Sequence, residues 1–193
     1  TRVAIQRPSG ERNYLSGSFA LAPDGSAVAF VIQGDGDAEQ IWIRDLDNTA
    51  ARAIAGTDRA SLPFWSPDAK HIAFFADGKL KRVPRAGGGV QTVCDAPNGR
   101  GGAWGSAGTI VFAPSPFSPL SKVSASGGAP EPATTLDAAR GQSSHRFPAF
   151  LPDGRHFLYV RASHSAGFQD PVNSIWIGDI ESKETAELMQ SGT

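Results

Sequence analysis

The sequence predicts an all-β fold of four consecutive antiparallel four-stranded sheets, and three observations carry that expectation. The first is composition, because 22 Gly and 14 Pro among 193 residues leave little room for long helices. The second is an internal repeat. FALAPDGSAVAFV from Phe19, PFWSPDAKHIAFF from Pro63, GAWGSAGTIVFA from Gly102 and PAFLPDGRHFLYV from Pro148 align on the anchors Leu21, Trp65, Trp104 and Phe150, spaced by 44, 39 and 46 residues. The third is the content of each repeat, in which β-branched and aromatic runs flank a short turn rather than following a 3.6-residue period. A period near 43 with this content is that of a propeller blade.

Each strand follows from its neighbours. Pro23, Asp24 and Gly25 supply a fixed φ, a carboxylate that bonds nearby backbone and a residue tolerant of positive φ, so they turn the first strand back on the second. The turn recurs at Pro67-Asp68-Ala69 and Pro152-Asp153-Gly154, and in reduced form at Ser106-Ala107-Gly108. Second strands are predicted at 28–32, 72–75, 110–113 and 157–160, and third strands at 41–43, 80–83, 120–123 and 175–177. Fourth strands follow turns marked by Asp47-Asn48, Gly87-Gly88-Gly89, Gly127-Gly128 and Glu181-Ser182-Lys183. They are expected at 51–54, 90–93, 132–136 and 185–189, the last competing with a short helix begun at Ser182. The resulting division is a leading strand and loop over 1–17 and blades over 18–60, 61–99, 100–142 and 143–193. The alternating segment 2–6 is a spare strand, available to a larger ring or to an exposed edge of another molecule. Beginning at Thr1 and holding a single Met, Met189, the sequence reads as a segment of something longer.

At these motifs the chain resembles the TolB-like, WD40-like (PD40) β-propeller repeat family, whose mark is a W-S-P-D-G turn followed by an I-A-F strand. Here that is Trp65-Ser66-Pro67-Asp68, then Ile72-Ala73-Phe74. FWSPDAKHIAFFADGKLKRV and SHRFPAFLPDGRHFLYV are similar to the propeller that follows bacterial receptor-type serine/threonine protein kinases. The resemblance covers the chain from about Phe19 onward, with Gly105-Ser106-Ala107 standing where the family has S-P-D and four repeats where the TolB-like ring has six. It implies a larger, six-bladed ring and a non-catalytic domain that binds a peptide, a protein or a cell-envelope ligand around the channel mouth. It also implies a periplasmic or extracytoplasmic setting.

Composition narrows the chemistry. With 18 Lys and Arg against 19 Asp and Glu, bulk charge gives no drive toward nucleic acid. One cysteine, Cys94, can form neither an internal disulfide nor a cysteine-based zinc site, and its place in an outer strand reads as a small buried hydrophobe. No run approaches the ~18 apolar residues of a membrane span, and the first residues show no basic start with an apolar core. No cofactor is expected. There is no kinase phosphate loop, H-R-D or D-F-G run and no G-x-S-x-G elbow, and in Ser143-Ser144-His145 the base adjoins the nucleophile in sequence instead of facing it. His71, His145, His156 and His164 lack metal-ligand spacing, Gly87-Gly88-Gly89 reads as a turn, and Asp35, Asp37 and Glu39 read as a solvated loop or a partial calcium loop. Trp42, Trp65, Trp104 and Trp176 fall at strand register, where blade packing outweighs an aromatic platform.

The ligand-binding residues predicted are cations in the loops that lead into the first strand of each blade. Arg59, Arg100 and Arg146 precede their anchors by six, four and four residues, with His145 beside the last. Arginine forks suit carboxylates or phosphates, and they equally lock blades by donating to backbone carbonyls.

Overall fold

The computed structural model describes residues 15–33, 39–163 and 172–190, and among these the chain forms sixteen strands in four antiparallel sheets. The chain divides into two compact units, residues 1–92 and 93–193. In the first, β1 (Leu15–Leu21), β2 (Ala27–Gln33), β3 (Glu39–Asp45) and β4 (Ala51–Ala53) pair in chain order, as do β5 (Ser61–Trp65), β6 (His71–Ala76), β7 (Lys79–Pro84) and β8 (Gln91–Asp95), whose far end passes the unit boundary. In the second, β9 (Gly102–Trp104), β10 (Thr109–Phe112), β11 (Ser121–Ser124) and β12 (Glu131–Pro132) form one meander. The other is β13 (Ser144–Phe150), β14 (His156–Ser163), β15 (Val172–Asp179) and β16 (Thr185–Gln190). The four repeats are therefore four propeller-type blades.

The turn chemistry explains the hairpins. Asp24 accepts from the backbone N and the hydroxyl of Ser26 at 2.9 and 2.7 Å while Gly25 takes φ +70°. In the second blade the Ser66 hydroxyl donates to Asp68 at 2.6 Å, and Ala69 adopts φ +55° where glycine would be unstrained. Those hydroxyls hold the Asp24 and Asp68 carboxyls below the ordinary carboxylate range. In the fourth blade His156 donates to Asp153, whose carboxyl is pushed down to about 2 by that bond.

Blade packing within each unit uses the two faces of the repeat differently. In the first unit, Ala29, Val31, Ile41 and Ile43 of the first blade meet Trp65, Ile72, Phe74 and Val83 of the second. Trp65 is the lock, since its indole Nε1 donates to Ala20 O at 2.9 Å and the Arg85 guanidinium lies 5.6 Å above its ring. Arg85 in turn donates to Ser26 Oγ and Asp45, groups 59 and 40 residues away in sequence. In the second unit, Val111, Ala113 and Leu120 meet Phe157, Tyr159 and Trp176.

Trp65 and Trp176 thus pack between blades as expected. Trp42 instead packs on its own sheet, against Val28, Phe30 and Ile32, and Trp104 is half-buried. The segment 185–190 is a strand, not a helix. The fourth strand of the third blade is shorter than expected and ends at Pro132. The next two amides, Ala133 N and Thr134 N, both donate to Leu120 O, and the Thr134 hydroxyl receives Leu120 N, so the chain leaves the ladder there. Cys94 is buried in β8. The spare strand at 2–6, His164, Asp35 and Asp37 lie outside the described residues. No helix among those described is long and apolar enough to cross a membrane.

Candidate functional site

The first strand is irregular near its start in the first, second and fourth blades. Pairing register shifts between Ser61 and Phe64 in β5 and between Arg146 and Ala149 in β13. The residue at the shift is left-handed, Leu62 at φ +48° and Phe147 at φ +51°, and the same repeat position in the third blade is Gly101 at φ +92°. Arg100 and Arg146 each stand one residue before that position. They are repeat equivalents, and Arg59 is not.

The structure gathers three of the four predicted residues in the second unit. Phe147 N donates to Arg100 O at 3.0 Å, which holds β13 beside the segment entering β9. A Cβ on Gly101 would come 2.9 Å from a Phe147 ring carbon and 3.1 Å from its Cα, so the close approach of the two strands requires glycine there. Arg100 donates to Asn98 Oδ1 at 2.6 Å and to Gly99 O at 3.0 Å. Arg146 donates through Nε to Ser144 Oγ at 2.7 Å and through Nη2 to Pro116 O at 3.0 Å. Its pKa is lowered, by burial first and by the Arg100 charge second.

His145 differs in kind from the two arginines. It is 1% exposed, with Nδ1 2.8 Å from Thr134 Oγ1 and Nε2 3.2 Å from Gln142 Oε1. Its ring centroid lies 4.7 Å from that of Tyr159. Burial, with the Arg161 charge second, pushes its pKa down to about 4, so at neutral pH it carries no charge. Its backbone N donates to Ser118 O at 3.0 Å, so its contribution is to fasten the 115–118 loop to β13. Arg59 belongs to the first unit, where it pairs with Asp77 at 2.7 Å on an exposed surface. Asp77 also receives Lys81 Nζ at 2.7 Å.

Sequence reasoning passed over two residues at this surface. Phe117 and Phe147 are 64% and 51% exposed, unlike the aromatic residues of the blade interiors. Phe147 lies in β13 with a left-handed backbone and an exposed ring. The 115–118 loop that carries Phe117 is tied to β13 by both bonds named above, from His145 N and from Arg146 Nη2. Two arginines and two exposed phenyl rings therefore lie on three segments linked by hydrogen bonds. The described residues contain no group of three or more His, Cys, Asp or Glu side chains placed to hold a metal ion.

No family model matches the sequence, and no curated protein matches it. Solved structures do. A TolB-type protein from Agrobacterium tumefaciens superposes with TM-score 0.76 at 16% identity over 91% of this chain, and TolB from Acinetobacter baumannii with TM-score 0.71 at 16% identity over 91%. The β-propeller domain of the Trilobed protease from Pyrococcus furiosus, which has an open velcro topology, superposes with TM-score 0.56 at 18% identity over 92%. The chain spans 65%, 44% and 57% of the lengths of these three, less than two thirds of each. At such identities the likeness establishes the fold, that of a TolB-like β-propeller.

Proposed function

We propose that this chain is a non-catalytic recognition module, and that its ligand surface is the blade-entrance surface of the second unit formed by Arg100, Arg146, Phe117 and Phe147. The observation that carries the reading is that two half-buried arginines and two exposed aromatic residues lie on segments joined by hydrogen bonds, since arginine and aromatic residues dominate the energetics of protein interfaces. His145 supports this surface from beneath. Arg59, at its own surface in the first unit, is a further contact of the same kind. The ligand is a protein, a peptide or a cell-envelope component, and the module works within a larger bacterial signalling protein. The receptor-kinase setting rests on the resemblance of the 64–83 and 144–160 runs to kinase-borne propellers, and it places the module outside the cytoplasm. Reading the gene on both sides of the Thr1 and Thr193 codons tests it: a kinase domain and a membrane span upstream support it, and an α/β hydrolase domain downstream replaces it with the peptidase-accessory reading.

The direct test of recognition uses Arg100→Ala. Among the described residues the Arg100 side chain bonds only locally, to Asn98 and Gly99, so the substitution is expected to change stability by no more than about 0.5 kcal/mol. Retention of envelope-extract proteins on the immobilised chain is expected to fall relative to the unsubstituted chain. A variant that melts lower yet retains the same proteins assigns Arg100 to holding the fold together.

A second reading, self-association, is favoured by the far face of the fourth blade. Its cross-strand pairs Leu158–Ile177 and Val160–Ile175 repeat the pairs Ala29–Ile43 and Val31–Ile41 of the first blade. The latter four residues are no more than 1% exposed because the next blade covers them, whereas Ile175 is 37% exposed. A second copy of the chain is the occupant this reading assigns to that face. Sedimentation is expected to show mass rising with concentration, and Ile175→Glu to abolish the rise; a concentration-independent monomer removes the reading.

A further inference from the structure

Resting on the recognition reading, the geometry points to the chemical class of the ligand: we infer that Arg100 and Arg146 take a carboxylate whose attached apolar group lies on Phe117 and Phe147. Two guanidinium groups at equivalent repeat positions, on segments joined by the Phe147 N to Arg100 O bond, are near enough for their like charges to interact. The Arg100 charge already disfavours the charged form of Arg146. An anion between them turns that repulsion into two attractions, and planar guanidinium forks match a carboxylate in a bidentate fashion. Four of the oxygens that receive these side chains are neutral: Asn98 Oδ1, Gly99 O, Ser144 Oγ and Pro116 O. A carboxylate oxygen is the stronger acceptor for the same donors.

The apolar half of the ligand is argued from the rings. Phe147 precedes Pro148 and is exposed, in a left-handed backbone conformation that a bulky residue adopts only under strain. Leu62 shows the same conformation in the second blade, so the bulge belongs to the repeat; placing a half-exposed phenyl on it is particular to the fourth blade. Phe117 adds a second exposed ring on a loop that Arg146 itself anchors. An aspartate, glutamate or chain-terminal carboxylate next to an apolar side chain in an extended peptide carries both features, whereas a bare phosphate has no use for the rings.

The probe is phenylpropionate, a single carboxylate on an apolar arm, titrated into the full isotopically labelled chain while the arginine Nε–H signals are followed by NMR. The expected result is saturable movement of the Arg100 and Arg146 signals, with the Arg59 signal of the first unit unmoved. Phenylpropanamide, which keeps the ring and loses the charge, is expected to leave both signals in place. Arg100→Ala is expected to weaken the probe by at least about tenfold, as loss of a charge-assisted pair does. Phe147→Ser is expected to weaken phenylpropionate and leave acetate unchanged. Inorganic phosphate moving the signals while phenylpropionate does not overturns the carboxylate assignment in favour of a phosphate ligand. Movement of neither overturns it as well. In both cases partner retention that still depends on Arg100 leaves the recognition reading standing, and its loss removes both.

Discussion

Replacing Trp65 with alanine is expected to cost about 3–5 kcal/mol of folding free energy, the usual range for a buried tryptophan truncated in a well-packed core. The indole is 6% exposed and does three things at once. It fills the contact between the first two blades beside Ala69, Ile72 and Phe74, donates to Ala20 O at 2.9 Å, and lies under the Arg85 guanidinium at 5.6 Å. Arg85 then loses the ring against which it is held while reaching Ser26 and Asp45. Trp65→Phe separates these contributions, because it keeps most of the apolar area and drops the Nε1 donor; about 1–3 kcal/mol is expected for the Ala20 carbonyl left without its bond. Urea unfolding followed by circular dichroism checks both. A loss below about 1 kcal/mol for Trp65→Ala would show that the indole does not hold the blades together.

Lowering the pH from 6.5 to 4 is expected to remove about 3 kcal/mol of stability through His145. In the unfolded chain this histidine titrates near 6.5, and in the folded chain near 4, because its ring is buried among Thr134, Gln142 and Tyr159 with the Arg161 charge nearby. A depressed histidine pKa means that the unfolded chain takes up the proton first as pH falls. Its contribution is therefore complete above the unfolded value, declines as pH drops through 6.5, and levels off below about 4. Two and a half pH units at about 1.36 kcal/mol per unit give the expected size. The carboxylates act in a different window. Asp24, Asp68, Asp77 and Asp153 have folded pKa values lowered by hydrogen bonds, so their contributions are present above the unfolded value of 3.8 and are lost as pH falls below it. His145→Gln separates the two, since it is expected to flatten the dependence between 6.5 and 4 and leave the acid limb intact. An unchanged slope in that variant would assign the dependence to other groups.

Much of the fold is legible in the sequence because the turn residues act locally. Pro23-Asp24-Gly25 and Ser66-Pro67-Asp68 close their hairpins with bonds between residues two apart, which any reader of the chain can anticipate. The short β12 is legible only in hindsight, since it depends on Leu120 O drawing in two amides from the other side of a loop. The Arg85 network joins residues 40 and 59 positions apart and leaves no local trace. At the candidate site, register alone makes Arg100 and Arg146 equivalent and separates Arg59 from them. Burial is where local reading stops. Ser143-Ser144-His145-Arg146 is a polar run, yet Ser144 and His145 are 0% and 1% exposed, and the His145 ring is held by Thr134 and Gln142 from outside the strand. The reverse holds for Phe147, whose apolar side chain at a strand position gives no sign of its left-handed backbone.

The surface around Phe147 is the proposed meeting place of this chain and its ligand. Its most direct test is to replace Phe147 with the photoreactive p-benzoylphenylalanine in the source cells, with the same residue at exposed Lys183 of the same unit as the control, and to irradiate. A discrete adduct is expected from position 147, absent from position 183 and lost when Arg100→Ala and Arg146→Ala are added. Adducts that form equally at both positions, or at 147 regardless of the two arginines, would contradict the proposal.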